Sequence, residues 1–288
     1  MNALPAAVRI VEVGPRDGLQ SIEQTIPTET KIQFINTLTE ANLPEIEVTS
    51  FVSPTWVAQL ADANEVAALI NHDDHIRYTA LVPNLKGLER SMDSGFTSVA
   101  VFTTVSETFS QKNTNCAIDE SLERIKVMSP IIQENDLRFR AYISTVWVCP
   151  YEGAVPVKKV VPIIQSLLDM GVEEISLGDT IGKATPDDVR STLDSLITEF
   201  GIESFALHFH DTYGHALENI KAGLEYGIST FDSSAGGIGG CPYASGASGN
   251  VSTNSVVDLC NQLEITTGIN VAKLQEAASI IQPYVIST

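Results

Sequence analysis

Apolar positions along the chain follow two rhythms that take turns from one end to the other. Short runs rich in Val and Ile, bounded by Gly, Pro or polar turn formers, read as buried strands, and longer stretches with an apolar residue every three or four positions read as helices buried on one face. The first run, 8–13, is Val-Arg-Ile-Val-Glu-Val and stops at Gly14-Pro15. In the next segment Ile32, Ile35 and Leu38 recur at spacing three, which predicts a helix capped by Thr28 or a neighbour. Further strands are predicted at 45–50, 76–82, 97–102, 138–145, 173–177, 205–208 and 229–233. Helices fall between them at 64–70, 85–92, 118–133, 157–170, from Pro186 onward, and at 216–226. Thr185 stands where it caps the helix that Pro186 opens at its first position. Two more helices, 251–263 and 271–285, follow the last strand.

Strand and helix alternate eight times with no antiparallel hairpin signal, which predicts an α/β fold, a (β/α)8 TIM barrel; a doubly wound open sheet is the alternative, and the count favours the barrel. No Pro- or Ser-rich linker and no low-complexity tract interrupts the alternation, so residues 1–288 read as a single catalytic domain. The two C-terminal helices and a glycine-rich lid loop are its expected additions.

Composition restricts the partners. Seventeen Lys and Arg against 36 Asp and Glu give a net charge of −19, which argues against nucleic acid and against an anionic membrane. No apolar run approaches the roughly 18 residues of a membrane span. The first residues show no basic segment leading into an apolar core, so the expected compartment is the cytoplasm. Cys116, Cys149, Cys241 and Cys260 are scattered without a CxxC pair and read as reduced thiols. A small-molecule substrate remains, and if it is anionic it must be met by a metal, a few placed cations or helix-start N–H groups.

Polar residues gather where a barrel holds its ligands, just past the carboxyl ends of the strands. The first strand is followed by Arg16 and Asp17, the second carries Glu47 and Ser50, the sixth Ser176 and Asp179, and the seventh His208 and His210. Residues i and i+2 of a strand share a face, so the two imidazoles point together and form half of a metal site, to which Asp17 adds a carboxylate. Nitrogen and oxygen donors without thiolate suit Mg²⁺ or Mn²⁺ at least as well as zinc. Ser50 and Ser176 are candidate substrate contacts together with Arg16. Beyond the eighth strand, 235–250 is dominated by glycine and carries one thiol, Cys241, between Gly240 and Pro242. A loop able to move that presents a cysteine reads as a lid with an acid/base thiol; a structural turn is the bland alternative.

These blocks resemble the 3-hydroxy-3-methylglutaryl-CoA lyase family. The likeness rests on Val-Glu-Val-Gly-Pro-Arg-Asp-Gly-Leu-Gln at 11–20, Thr-Ser-Phe-Val-Ser-Pro at 49–54, Pro-Asn-Leu-Lys-Gly at 83–87, Cys-Pro-Tyr-Glu-Gly at 149–153, Ile-Ser-Leu-Gly-Asp-Thr-Ile-Gly at 175–182, His-Asp-Thr-Tyr-Gly at 210–214 and Gly-Gly-Cys-Pro-Tyr-Ala at 239–244. It implies a barrel that uses a divalent cation, Mg²⁺ or Mn²⁺, to split the acyl-CoA substrate into acetoacetate and acetyl-CoA, in leucine degradation. The expected assembly is a homodimer. Carried onto matching positions, the family's metal ligands are Asp17, His208, His210 and Asn250. Its catalytic arginine, glutamate and lid cysteine fall on Arg16, Glu47 and Cys241, with Tyr151 and Asp179 at further active-site positions. The chain departs from the family pattern with bulkier residues at 102–105 and with Trp147, changes that can reshape an acyl pocket.

The chemistry asks for the same groups. Cleavage needs the hydroxyl proton removed, a thioester enolate stabilised and that enolate protonated. A metal suits the first requirement, the permanent cation of Arg16 the second and Cys241 the third. Asp17, His208 and Glu47 are each able to take the hydroxyl proton. A related metal-dependent aldolase or lyase acting on another 3-hydroxy acid or thioester would share this set with a different pocket, and a non-enzymatic binding barrel would have no use for it.

Overall fold

A computed structural model describes residues 3–239 and 249–285. Among these residues eight parallel strands close into a barrel in chain order: Arg9–Glu12, Glu45–Ser50, Arg77–Leu81, Ser98–Thr104, Arg138–Ser144, Glu174–Asp179, Phe205–Phe209 and Thr230–Ser233. What separates a barrel from an open sheet is the seam. Here the first strand pairs in parallel with the eighth, from Arg9 opposite Thr230 to Glu12 opposite Ser233. No helix among the described residues is long and apolar enough to cross a membrane.

The helices stand where the period placed them, with three differences. Helix Thr28–Glu40 has Pro27 at its N-cap and no side-chain cap; Thr28 Oγ1 instead donates to Asp62 Oδ2 at 2.8 Å, tying this helix to the next. An additional helix, Glu107–Thr114, follows the fourth strand, capped by Ser106, whose hydroxyl accepts from Phe109 N at 3.1 Å. Its sequence holds one large apolar residue, Phe109, and so carries no period to read. A small antiparallel hairpin, Val148–Cys149 against Gly153–Ala154, corrects the expectation of none; strands of two residues are too short to alternate. At Pro186–Phe200 the expected Thr185 cap is present as a full capping box with Asp188.

Most charged side chains of the strands point toward the barrel axis, joined there by an apolar patch of Leu81, Ala100 and Phe102, and the alternate positions are mainly apolar toward the helices. Arg9 reaches Glu174, Arg140 reaches Asp232 and Tyr142 reaches Glu47, each across strands that are not neighbours, contacts possible only through the interior. The alternate residues Ile10, Ile46, Phe139, Ile175, Leu207 and Phe231 are buried on the outer side in the main apolar core. A Cβ added at Gly223, on helix Ala216–Glu225, would meet Leu207 Cδ1 at 2.5 Å, which shows how closely that helix lies on the sheet. The hydrophobic effect therefore holds a ring of helices to the sheet, while the axis is kept for charge. Arg9, Arg77, Arg138 and Arg140 against Glu45 and Glu174 fill the amino-terminal half of the axis.

Candidate active site

At the carboxyl end of the first strand the chain does not continue extended. Gly14-Pro15 turns it into a single wide helical turn, Gly14–Gly18, in which the N–H groups of Arg16, Asp17 and Gly18 all point at Val13 O. Pro suits the first turn of a helix, and Gly14 fits because a Cβ there would lie 2.5 Å from Glu12 Oε1. The turn sends consecutive charged side chains to different partners. Arg16 donates from Nε to Glu47 Oε2 at 2.9 Å, and from Nη1 to Asp17 Oδ1. The second strand shifts register between Glu47 and Thr49, a bulge of the kind that re-aims a side chain.

Asp17, His208 and His210 offer ligand atoms all within 4.8 Å of one another. Asn250 joins them: its Nδ2 donates to Asp17 Oδ2 at 2.8 Å and to Ile238 O at 3.2 Å. Two buried atoms in this group, His210 Nδ1 and Asn250 Oδ1, have no hydrogen-bond partner among the described residues. Buried polar atoms are rarely left so without a ligand to meet. His208 is held by Asp232, whose carboxyl is drawn down to about 2: burial opposes the charge, and Arg140 and His208 outweigh it. The Asp232 carboxylate faces His208 Nδ1 at 3.2 Å, which orients the ring so that Nε2 points away from this support as the candidate ligand atom. Two buried imidazoles and a half-buried carboxylate with such support fit a divalent cation.

The electrostatics separate the two carboxylates beside Arg16. Burial works against the Asp17 charge, but Arg16 and the two histidines prevail and hold it well below the usual carboxylate range. Glu47 is shifted the opposite way: burial dominates over Arg16 and Tyr142 and raises it. Its Oε2 accepts from Arg16 and from Tyr142 Oη at 2.9 Å, while Oε1 is buried with no partner among the described residues. Burial lowers His210 to about 4, so the imidazole is neutral and available as a ligand. The result is a permanent cation, a neutral-imidazole and carboxylate cluster, and one uncommitted carboxylate oxygen at a single barrel mouth. That set can hold a chelating hydroxy acid, take a proton from it and stabilise a developing anion.

A family model described as HMGL-like matches residues 7–281. The chain belongs to the HMGL-like family. A cytoplasmic 3-hydroxy-3-methylglutaryl-CoA lyase of Rattus norvegicus is 46% identical over 281 residues, spanning 98% of this chain and 82% of that protein. The crystal structure of a hydroxymethylglutaryl-CoA lyase from Pseudomonas aeruginosa superposes with a TM-score of 0.96 at 47% identity, covering 99% of this chain and 95% of that one. An HMG-CoA lyase from Acinetobacter baumannii, in complex with coenzyme A and 3-methylmalate, gives a TM-score of 0.92 at 33% identity over 99% of this chain and 93% of that one.

In this HMGL-like chain the remaining expected residues fall in several places. Asp179 is fully buried, and its carboxylate takes the N–H groups of Lys183 and Ala184 at 3.1 and 2.9 Å; burial raises it to about 6. It shapes the loop that rests on the end of the seventh strand, where a Cβ at Gly182 (φ +67°) would lie 2.8 Å from His210 O. Ser176, expected to touch substrate, is fully buried and spends its hydroxyl on Asp232 Oδ2 at 2.6 Å, one layer below the mouth. Ser50, expected likewise, is buried and accepts from Val52 N at 3.3 Å. Tyr151 is on the hairpin, 40% exposed, its ring against Phe109 and 4.0 Å from Lys112 Nζ. Cys241 lies outside the described residues. Thr103 and Thr104 turn to Ser121 and Thr145, and Trp147 is buried on Phe209; Phe102 reaches the interior, packing with Leu81, Ala100 and Tyr142. Sequence reasoning missed Tyr142, Arg140 and Asp232; only their alternation with Phe139, Ala141 and Phe231 signals a polar inner face.

Proposed function

We propose that this protein is a divalent-metal-dependent carbon–carbon lyase that cleaves 3-hydroxy-3-methylglutaryl-CoA to acetoacetate and acetyl-CoA, as a single-domain homodimer in the cytoplasm, serving leucine breakdown. The observation that carries the reading is the meeting of Asp17, His208 and His210 with the Arg16–Glu47 pair at one barrel mouth, in a chain of the HMGL-like family. Mg²⁺ or Mn²⁺ held by Asp17, His208, His210 and Asn250 would supply a Lewis acid that makes the substrate hydroxyl more acidic.

Glu47 is the group best placed to take the hydroxyl proton. Its pKa is raised and its Oε1 has no partner among the described residues, whereas Asp17 is a weakened base and His208 Nδ1 is engaged by Asp232. As the bond between the tertiary carbon and the thioester α-carbon breaks, charge develops on the thioester oxygen. Arg16, buried and held above its ordinary pKa because Glu47 and Asp17 overcome the cost of burial, stays cationic and stabilises it. Cys241, by the family resemblance, returns a proton to the enolate carbon and completes acetyl-CoA. The apolar wall of Leu81, Phe102 and Tyr142 faces the same interior and sets the room for the acyl chain.

The test is acetoacetate release by purified protein from the CoA thioester and from free 3-hydroxy-3-methylglutarate. Cleavage of the thioester with Mg²⁺ or Mn²⁺ present, and little of the free acid, is expected. Absence of acetoacetate from the thioester contradicts the reading.

A further inference from the structure

One side chain in the barrel interior touches both arms of the site without belonging to either. Arg140 is 1% exposed. Its Nε donates to Glu174 Oε1 at 2.7 Å, Nη1 to the Tyr142 hydroxyl at 2.7 Å and Nη2 to Asp232 Oδ1 at 2.5 Å. From there two chains of hydrogen bonds leave. Tyr142 Oη, having accepted from Arg140, donates to Glu47 Oε2 at 2.9 Å. Asp232, with one oxygen taken by Arg140, offers the other to His208 Nδ1 at 3.2 Å and to Ser176 at 2.6 Å. The Tyr142 ring also meets two guanidinium groups, 4.8 Å from that of Arg140 and 5.2 Å from that of Arg16.

We propose that Arg140 is a positioning residue that sets both arms at once, holding the carboxylate of Glu47 through Tyr142 and the ring orientation of His208 through Asp232. The proposal rests on the reading of Glu47 and His208 as working parts of the lyase site. On the first arm, Glu47 Oε2 is shared by Arg16 and Tyr142, which leaves the buried Oε1 as the one carboxylate oxygen without a partner among the described residues. A Tyr142 hydroxyl that receives the Arg140 bond has its own proton directed at Glu47; without that bond the hydroxyl is free to rotate and Glu47 to swing. On the second arm, Arg140 occupies Asp232 Oδ1 and turns Oδ2 toward His208 Nδ1, which aims the opposite ring nitrogen, Nε2, as the ligand atom. A planar fork with donors in three fixed directions does this, and a lysine ammonium, a point charge at the end of a flexible stem, does not.

Three substitutions test it, read by metal affinity, by turnover and by melting temperature. Mn²⁺ affinity is read by electron paramagnetic resonance of free Mn²⁺ without substrate, and kcat and KM by acetoacetate release. Tyr142→Phe should lower kcat about tenfold or more with Mn²⁺ affinity and KM unchanged. Asp232→Asn should weaken Mn²⁺ binding roughly 10- to 100-fold, the usual scale for removing a ligand's hydrogen-bond support. Arg140→Lys should do both. Arg140→Lys with wild-type affinity and kcat overturns the proposal. So do single-arm variants whose two readouts fall together in step with a lowered melting temperature, since that marks a purely structural role. If Arg140→Lys does not fold, the two single-arm variants decide alone: the split between them supports the proposal and its absence overturns it. A wild type that neither binds Mn²⁺ nor cleaves the thioester contradicts the functional reading instead, and is distinguished from failure here by its behaviour before any substitution.

Discussion

His210 and Asn250 each bring to the cluster that Asp17 and His208 complete a buried polar atom with no partner among the described residues, and that shortage of partners is the local cost the site carries for a cation. His210→Ala should weaken Mn²⁺ binding roughly tenfold or more while the melting temperature stays close to wild type, as measured by titration of the metal. Unchanged affinity would remove His210 from the ligand set. At Arg16 the expectation concerns rate. Arg16→Lys should lower kcat by roughly 10²-fold with little change in KM, because a point ammonium cannot reproduce paired donors at the oxygen where charge develops. At the thiol, Cys116, Cys149 and Cys260 are all buried, so an alkylating reagent should label Cys241 first, and Cys241→Ala should lose roughly 10²-fold in turnover. Peptide mapping that places first labelling on Cys116 or Cys149 would assign the proton donor elsewhere.

Elements explain why these residues meet. The Gly14–Gly18 turn gives Arg16 and Asp17 their separate directions, and it is braced from below by Glu12, fully buried, which takes the N–H groups of Gly14 and Ala235 on Oε1 and the Thr253 hydroxyl on Oε2. Burial raises Glu12 from 4.5 to about 7, more than its hydrogen bonds lower it. A carboxyl whose folded pKa is raised adds stability that is complete below its unfolded value and lost as pH climbs through the folded one. The wild type should therefore lose stability, by up to about 3 kcal/mol, between pH 4.5 and about 7, whereas Glu12→Gln, neutral throughout, should not. Melting curves of the two proteins across that interval should diverge as pH rises; parallel curves would show that Glu12 is not the titrating group. Much of this scale was legible in the sequence. Gly14-Pro15 marked the strand end, Thr185-Pro186 the helix start, and the i, i+2 rule brought His208 and His210 to one face. The helix Glu107–Thr114 and the Val148–Cys149 hairpin were not legible, because one has a single apolar residue of any size and the other is too short for a period.

At the scale of the whole molecule, the chain is a barrel held from outside. Its apolar strand residues lie under helices, and its axis is a column of charge from Arg9 and Glu45 through Arg140 to Asp232 and Glu47. Alternating runs announce the strands but do not say which alternate face is inward, so Arg140, Tyr142 and Asp232 were readable as strand residues and not as supports of the site. Ser176 was misplaced for the same reason: its position at a strand end suggested the mouth, and its side chain lies one layer beneath. The column matters for function because it holds Glu47 through Tyr142 and His208 through Asp232 before any ligand arrives, which is where preorganised electrostatics gain their effect. The central claim, cation-assisted cleavage of a hydroxyacyl thioester at the Asp17, His208 and His210 cluster, is tested most directly by metal removal. Protein stripped with a chelator and assayed for acetoacetate from 3-hydroxy-3-methylglutaryl-CoA should be inactive and should recover on adding Mg²⁺ or Mn²⁺. Full turnover in metal-free buffer would contradict the account.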